Sequence, residues 1–256
     1  MRKEDEMNIK QFDLSGKTAL VTGSSRGIGK AIAMMLGKAG ASVIFHGTRL
    51  SGALEQALEE ARSEGIACRF VLGDIGKSED VSAMVKEAGS PDIVVLNASV
   101  QMYLPVMEFQ EEEFQRSYDT NLRSAFQFIK AFLPGMRERR WGRFVSIGSV
   151  NQWKQSPRLP IYASTKSALV NLMMNCARQF AKDGVTFNNI APGIIETDRN
   201  RVTLADPEMV PLLKAQVPAG YFGQPEDCSG VALLLASNAG AYITGADIPV
   251  AGGMQL

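Results

Sequence analysis

A single α/β domain built on a doubly wound parallel sheet is what this sequence predicts, and three observations carry the prediction. Short apolar runs alternate along the chain with longer segments of helical periodicity. The runs lack polar alternation, as strands covered on both faces require. No internal repeat, low-complexity tract or Pro/Gly-rich linker divides the 256 residues.

Taken in order, residues 1–11 are charged and lack the apolar core of a leader, so they are expected to form a flexible extension before a domain spanning 12–256. Candidate strands follow at 18–22, 42–45, 68–72, 93–96, 143–147, 185–190 and 248–250, giving a seven-stranded sheet. Helices between them cover both faces. Ile28 to Lys38 carries apolar residues at helical spacing and stops at Gly40, while Leu169, Leu172, Met173 and Cys176 form a core-facing stripe that ends before Gly184. No apolar run reaches the ~18 residues of a membrane span, so no membrane partner is expected.

Composition narrows the chemistry. Basic and acidic residues balance at 27 each. The one basic cluster, Arg137, Arg139, Arg140 and Arg143, falls at a helix end before a strand, where cations complement the helix dipole; nucleic acid is not an expected partner. Three widely spaced cysteines, Cys68, Cys176 and Cys228, read as reduced core thiols of a cytoplasmic protein. The single histidine, His46, sits at the end of an apolar run and reads as a strand-end residue. With only one histidine, neither a Ser-His-Asp triad nor a His-rich metal site is expected, and no metal is assigned.

Tyr162 and Lys166 stand one helical turn apart, with Ser149 and Asn121 upstream. A phenol loses its proton near pH 10 and is a poor base at neutral pH unless a cation stabilises the phenolate. Helical neighbours at this spacing lie about 5–6 Å apart. A cation at about 4 Å in an effective dielectric of about 20 contributes roughly 4 kcal/mol, enough to bring a tyrosine from about 10 towards 7. Lys166 is expected to do this, making Tyr162 a general acid–base.

Between the first strand and the first helix lies Thr22-Gly23-Ser24-Ser25-Arg26-Gly27-Ile28-Gly29. Glycines there let backbone amides approach a pyrophosphate at the helix N-terminus, where the dipole favours negative charge. A site for NAD places an acid about 20 residues beyond such glycines, whereas arginine suits a 2′-phosphate. No Asp or Glu occurs between Ser15 and Leu54, while Arg26 lies in the loop and Thr48 and Arg49 follow the second strand. NADP is the expected cofactor and NAD the alternative.

These motifs, with Asp74-Ile75, Asn97-Ala98, Pro192-Gly193 and Thr197 in the same order, make the chain resemble a short-chain dehydrogenase/reductase from Leu14 to Gly253. The resemblance implies a Rossmann-like fold and an oxidoreductase interconverting a carbonyl and a secondary alcohol. It further implies that Asp74 and Ile75 flank the adenine, that Asn97 and Ala98 pass under the cofactor, and that Ile195 and Thr197 meet the carboxamide, with Pro192 and Gly193 also binding the cofactor. In this reading Tyr162 exchanges a proton with the substrate oxygen, Ser149 holds that oxygen, Lys166 also binds the ribose, and Asn121 supports a water chain. The chain departs from the pattern at Ser99, where glycine is usual, and at Ala251, where aspartate is common. Substrate-facing candidates are Asn151, Gln152, Trp153, Lys154 and the lid-like stretch 196–217. A 3-oxoacyl thioester and a sugar or polyol acid are the two substrate classes considered, Arg139, Arg140 and Arg178 facing an acidic carrier in the first. A silent NADP-binding regulator is the alternative function. Relatives of this kind associate through paired long helices, here 121–136 and 163–182, so a homotetramer or dimer is expected.

Overall fold

The structure is a computed structural model that describes residues 10–256. Of the expected flexible extension only Lys10 and Gln11 fall within the described residues; they form a 3-10 turn with Phe12. The strands are β1 (Thr18–Val21), β2 (Ser42–Gly47), β3 (Cys68–Leu72), β4 (Ile93–Leu96), β5 (Gly142–Ile147), β6 (Val185–Pro192) and β7 (Asp247–Val250). All pair in parallel as one seven-stranded sheet in the order β3-β2-β1-β4-β5-β6-β7. Val21 pairs with Phe45 on one side and with Val95 on the other. The order reverses between β1 and β4, and at such a switch point the loops leave the sheet in opposite directions and open a crevice beyond the strand ends.

The connecting helices are α1 (Gly27–Lys38), α2 (Gly52–Ser63), α3 (Ser78–Ala88), α4 (Glu111–Tyr118), α5 (Ser124–Glu138), α6 (Pro160–Phe180), α7 (Arg201–Leu204), α8 (Met209–Lys214) and α9 (Pro225–Ala236). One face of the sheet is covered by α1, α2 and α9, whose Ile32, Leu36, Leu54, Leu58 and Leu235 pack with Val21, Val43, Phe45 and Val145. The other is covered by α3, α5 and α6, whose Met84, Phe128, Phe132, Leu169 and Met173 pack with Leu20, Ile44, Val94, Phe144 and Phe187. Phe144 of β5 and Phe187 of β6 stack at 4.7 Å between centroids. Among the described residues no helix is long and apolar enough to cross a membrane.

Two local departures from the expected elements matter. Residues 121–136 do not form one helix: Asp119–Arg123 is a π-helical turn joining α4 to α5, and Asn121 sits inside it. The basic cluster also divides. Arg137 and Arg139 pair with Asp183 and Asp92 beyond the end of α5, whereas Arg143 lies buried within β5 against the Trp141 ring, where desolvation lowers its pKa to about 10. It holds the carbonyls of Gly142, Gly184 and Ser237, a structural duty that accounts for a buried cation.

Candidate active site

The loop after β1 is held open by its neighbours. Thr22 Oγ1 donates to the Val95 carbonyl and accepts from the amides of Asn97 and Ala98. Asn97 Nδ2 returns to the carbonyls of Thr22 and Gly23. Gly23 has φ +64°, and a Cβ there would meet Ala98 at 3.0 Å; a Cβ on Gly29 would fall 2.3 Å from the Gly23 carbonyl oxygen. The loop therefore needs glycine at both positions, one for conformation and one for contact. At the head of α1, Arg26 makes no side-chain cap, so the first helical amides are left for a ligand anion.

His46 completes this frame. Its Nδ1 accepts from the Gly23 amide at 2.8 Å and Nε2 lies 3.0 Å from the Gly73 carbonyl, so the ring bridges the glycine loop and the end of β3 with its proton on Nε2. Burial lowers its pKa, opposed by the Gly73 bond and Asp74. The strand-end reading is correct in place but misses this duty; the available signal was a lone imidazole at the end of the strand beside the loop.

One cleft of about 1120 Å³ runs from this loop to the lid. It gathers Gly23, Ser25, Arg26, Gly27, Ile28, Gly29, Thr48, Asp74, Ile75, Asn97, Ala98, Ser149, Tyr162, Lys166, Pro192, Gly193, Ile195 and Thr197. Two of the catalytic and cofactor candidates are not brought to its wall. Arg49, two residues past the end of β2, is exposed outside the lining. Asn121 is buried behind the wall: its Oδ1 accepts from the Val100 amide, and its Nδ2 donates to the Val100 carbonyl and to Thr165 Oγ1. It thereby ties the segment after β4 to α6. Of the substrate-facing candidates, Asn151 and Lys154 line the cleft. Gln152 turns instead to Asp247 at 2.6 Å, and Trp153 is exposed outside the lining. The lid stretch carries two short helices between turns, α7 and α8 contributing Thr203, Leu204, Met209 and Leu213 to the cleft.

At the centre, α6 presents Tyr162 and Lys166 on one buried face. Ser149 Oγ accepts from the Asn151 amide and from Asn151 Nδ2, both at 3.2 Å, which leaves its own proton free to point outward. Lys166 Nζ donates to the Ile147 carbonyl at 2.7 Å and lies 5.6 Å from the Tyr162 ring centroid. The expectation that Lys166 depresses the tyrosine pKa needs correction. Burial raises the pKa of Tyr162, and the groups opposing the rise are Arg199 and Ser149. Burial also lowers that of Lys166 to about 7, with Arg199 adding to the fall. One helical turn places the ammonium alongside the ring, where it donates to the Ile147 carbonyl of β5. Arg199, which the sequence reading missed, supplies the nearby fixed charge.

A short chain dehydrogenase profile matches residues 17–208, the span that carries the glycine loop, Ser149, Tyr162 and Lys166. The chain belongs to the short-chain dehydrogenase family. It is therefore an oxidoreductase. The family likeness extends over nearly the whole chain: a 3-oxoacyl-[acyl-carrier-protein] reductase FabG of Pseudomonas aeruginosa is 39% identical, covering 96% of this chain and 100% of that protein. Its counterpart in Vibrio cholerae is 40% identical at the same coverage. Among solved structures, a 3-oxoacyl (acyl-carrier-protein) reductase from Agrobacterium tumefaciens C58 with NADP bound is 38% identical, with a TM-score of 0.92 over 98% of each chain. A gluconate 5-dehydrogenase from Burkholderia cenocepacia in complex with NADP and tartrate is 31% identical, with a TM-score of 0.89 over 95% of this chain and 97% of that one.

Proposed function

We propose that the protein is an NADP(H)-dependent oxidoreductase that interconverts a carbonyl and a secondary alcohol, with Tyr162 as the general acid–base. The observation that carries this reading is the convergence of Ser149, Tyr162 and Lys166 in the cleft that begins at the uncapped head of α1. When bound, NADP(H) supplies or takes the hydride. Arg26 and Thr48 would hold its 2′-phosphate, the amides at the head of α1 its pyrophosphate, and Lys166 its ribose. Asp74 and Ile75 would bind its adenine end, Asn97 and Ala98 its middle, and Ile195 and Thr197 its carboxamide.

The steps made by the protein's own residues are few. Ser149 donates a hydrogen bond from its outward hydroxyl to the substrate oxygen and keeps its proton. Tyr162 gives its proton to that oxygen in reduction and takes it in oxidation. Its raised pKa keeps the phenol protonated at neutral pH, the form reduction needs. Lys166, with a pKa of about 7, exchanges a proton with the route to solvent, which Asn121 supports by fixing Val100 and Thr165.

The FabG relatives support a 3-oxoacyl thioester as substrate, and the gluconate 5-dehydrogenase a sugar acid. Turnover on a 3-oxoacyl thioester and on a hexonate panel, with NADPH and NADH (or their oxidised forms) side by side, decides between them. Exchange with the NADP couple is expected on at least one class. Binding of NADPH without turnover on any ketone or alcohol instead identifies a silent regulator. For assembly, the helical faces bearing Phe126 of α5 and Met174 of α6 are exposed, which favours a homodimer or homotetramer through these helices.

A further inference from the structure

The substrate end of the cleft carries a charge pattern that carbonyl reduction alone does not call for. Lys154, Arg158 and Arg199 all line it. Among the described residues none of the three has a carboxylate partner within ion-pair distance. Lys154 donates only to the neutral Gln216. The two acids of the cleft wall are engaged elsewhere: Asp74, just beyond β3, accepts from the Gly76 amide and faces Arg116 at 3.8 Å, and Asp198 lies 3.5 Å from Arg26 and 4.0 Å from Arg201. Unopposed cations grouped in a concave wall attract anions and give a neutral ketone no advantage.

Arg199 is the best placed of the three. Its Nη1 donates to Ser99 Oγ at 3.2 Å and its Nη2 to the Ser99 carbonyl at 2.9 Å, which anchors the guanidinium from the lid side to the segment after β4. Ser99 is where the chain departs from the glycine usual in the family, and its hydroxyl is one of the two anchors. A guanidinium has more N–H donors than Ser99 takes up, and the remainder form a planar fork suited to a carboxylate. The same group lines one cleft with Tyr162, and its charge is felt at Tyr162, Lys166 and Tyr103. An anion on Arg199 therefore lies on the Tyr162 side of that cleft.

We propose that Arg199 is a substrate-binding residue that takes a carboxylate carried close to the reacting carbon, so that the substrates are 2- or 3-oxo acids and the matching hydroxy acids, with Lys154 and Arg158 as outer charges. This rests on Tyr162 marking the position of the reacting oxygen. Hydrogen bonds to a charged group contribute about 1.5–3 kcal/mol, which corresponds to a preference for acid over neutral ester of at least about tenfold.

The test is calorimetric binding to the enzyme saturated with NADP+, in which an oxo compound cannot be reduced. Pyruvate and acetoacetate are each compared with their methyl esters. In at least one pair the acid is expected to bind at least about tenfold more tightly than the ester. Arg199→Gln is expected to erase that preference and Arg199→Lys to restore part of it. Equal affinity for acid and ester in the unmodified enzyme, absence of binding by either included, overturns the proposal. So does a preference that survives Arg199→Gln, or a loss in that variant confined to NADP+ affinity. Because this readout needs no turnover, acids held by Arg199 in an enzyme that never oxidises NADPH would sink the proposed reaction and leave the anion site standing.

Discussion

At the scale of single residues, charge and burial compete, and which one wins differs between neighbours. Lys166 and Tyr162 are both buried, so desolvation governs them: the amine is pushed down to about 7 and the phenol up. Arg26 is exposed yet lies at the mouth of the glycine loop, where among the described residues only Asp198 at 3.5 Å competes for it. Replacing Arg26 with alanine is expected to raise the KM for NADPH about tenfold more than that for NADH, since hydrogen bonds to a charged phosphate contribute about 1.5–3 kcal/mol. Arg49→Ala, outside the cleft, is expected to leave that ratio within about twofold, the small effect usual for a surface substitution. Steady-state kinetics of the two variants with both cofactors tests the pair; a larger effect at Arg49 would reassign phosphate recognition to it.

Elements set these residues in place, and the crevice between β1 and β4 shows how. Gly29 of α1 packs against the Gly23 carbonyl and Asn97 Nδ2 so closely that a Cβ would lie within 2.4 Å of both. Gly29→Ala must push the helix head away, a strain of about 1–3 kcal/mol. NADPH affinity should fall at least about tenfold, read by nucleotide fluorescence titration. His46 joins the same loop to β3 as a neutral ring. Its folded pKa is lowered, so its contribution to stability is present above the unfolded value of about 6.5 and lost as pH falls through the folded value. Urea midpoints measured from pH 7.5 to 5.5 should drop more steeply for the natural protein than for His46→Asn, by up to about 1.4 kcal/mol per pH unit. Parallel slopes would show that His46 does not carry this dependence.

Strands such as Ile93–Leu96 were legible because every residue in them is buried, so the sequence reads as an unbroken apolar run; the equally buried Val185–Pro192 carries Thr186, Asn188 and Asn189 among its apolar residues. The π-turn at Asp119–Arg123 was not legible, since one extra residue in a turn barely disturbs helical periodicity; what demands it is the long-range engagement of Asn121 with Val100 and Thr165. Arg199 escaped for a related reason. Its role depends on a lid folding back towards Ser99, a contact across 100 positions of sequence, although the polar run Thr197-Asp198-Arg199-Asn200-Arg201 after a buried strand was a visible signal.

Across the whole molecule, two cores on opposite faces of one sheet fix the loops at its C-terminal edge, and the cleft is assembled from segments spread between Gly23 and Met254. The exposed Phe126 and Met174 on α5 and α6 are apolar surface that association would cover. Sedimentation velocity is expected to show a dimer or tetramer that Phe126→Asp shifts towards monomer; an unaltered distribution would move the interface elsewhere. This one cleft is proposed to deliver a proton from Tyr162 to a substrate oxygen. The decisive variant is Tyr162→Phe, assayed for turnover with NADPH on the best substrate of the panel and for NADPH binding in the same preparation. Retained binding is expected with turnover lower by at least about a hundredfold, the scale of lost general acid catalysis; near-normal turnover would rule Tyr162 out as the proton donor.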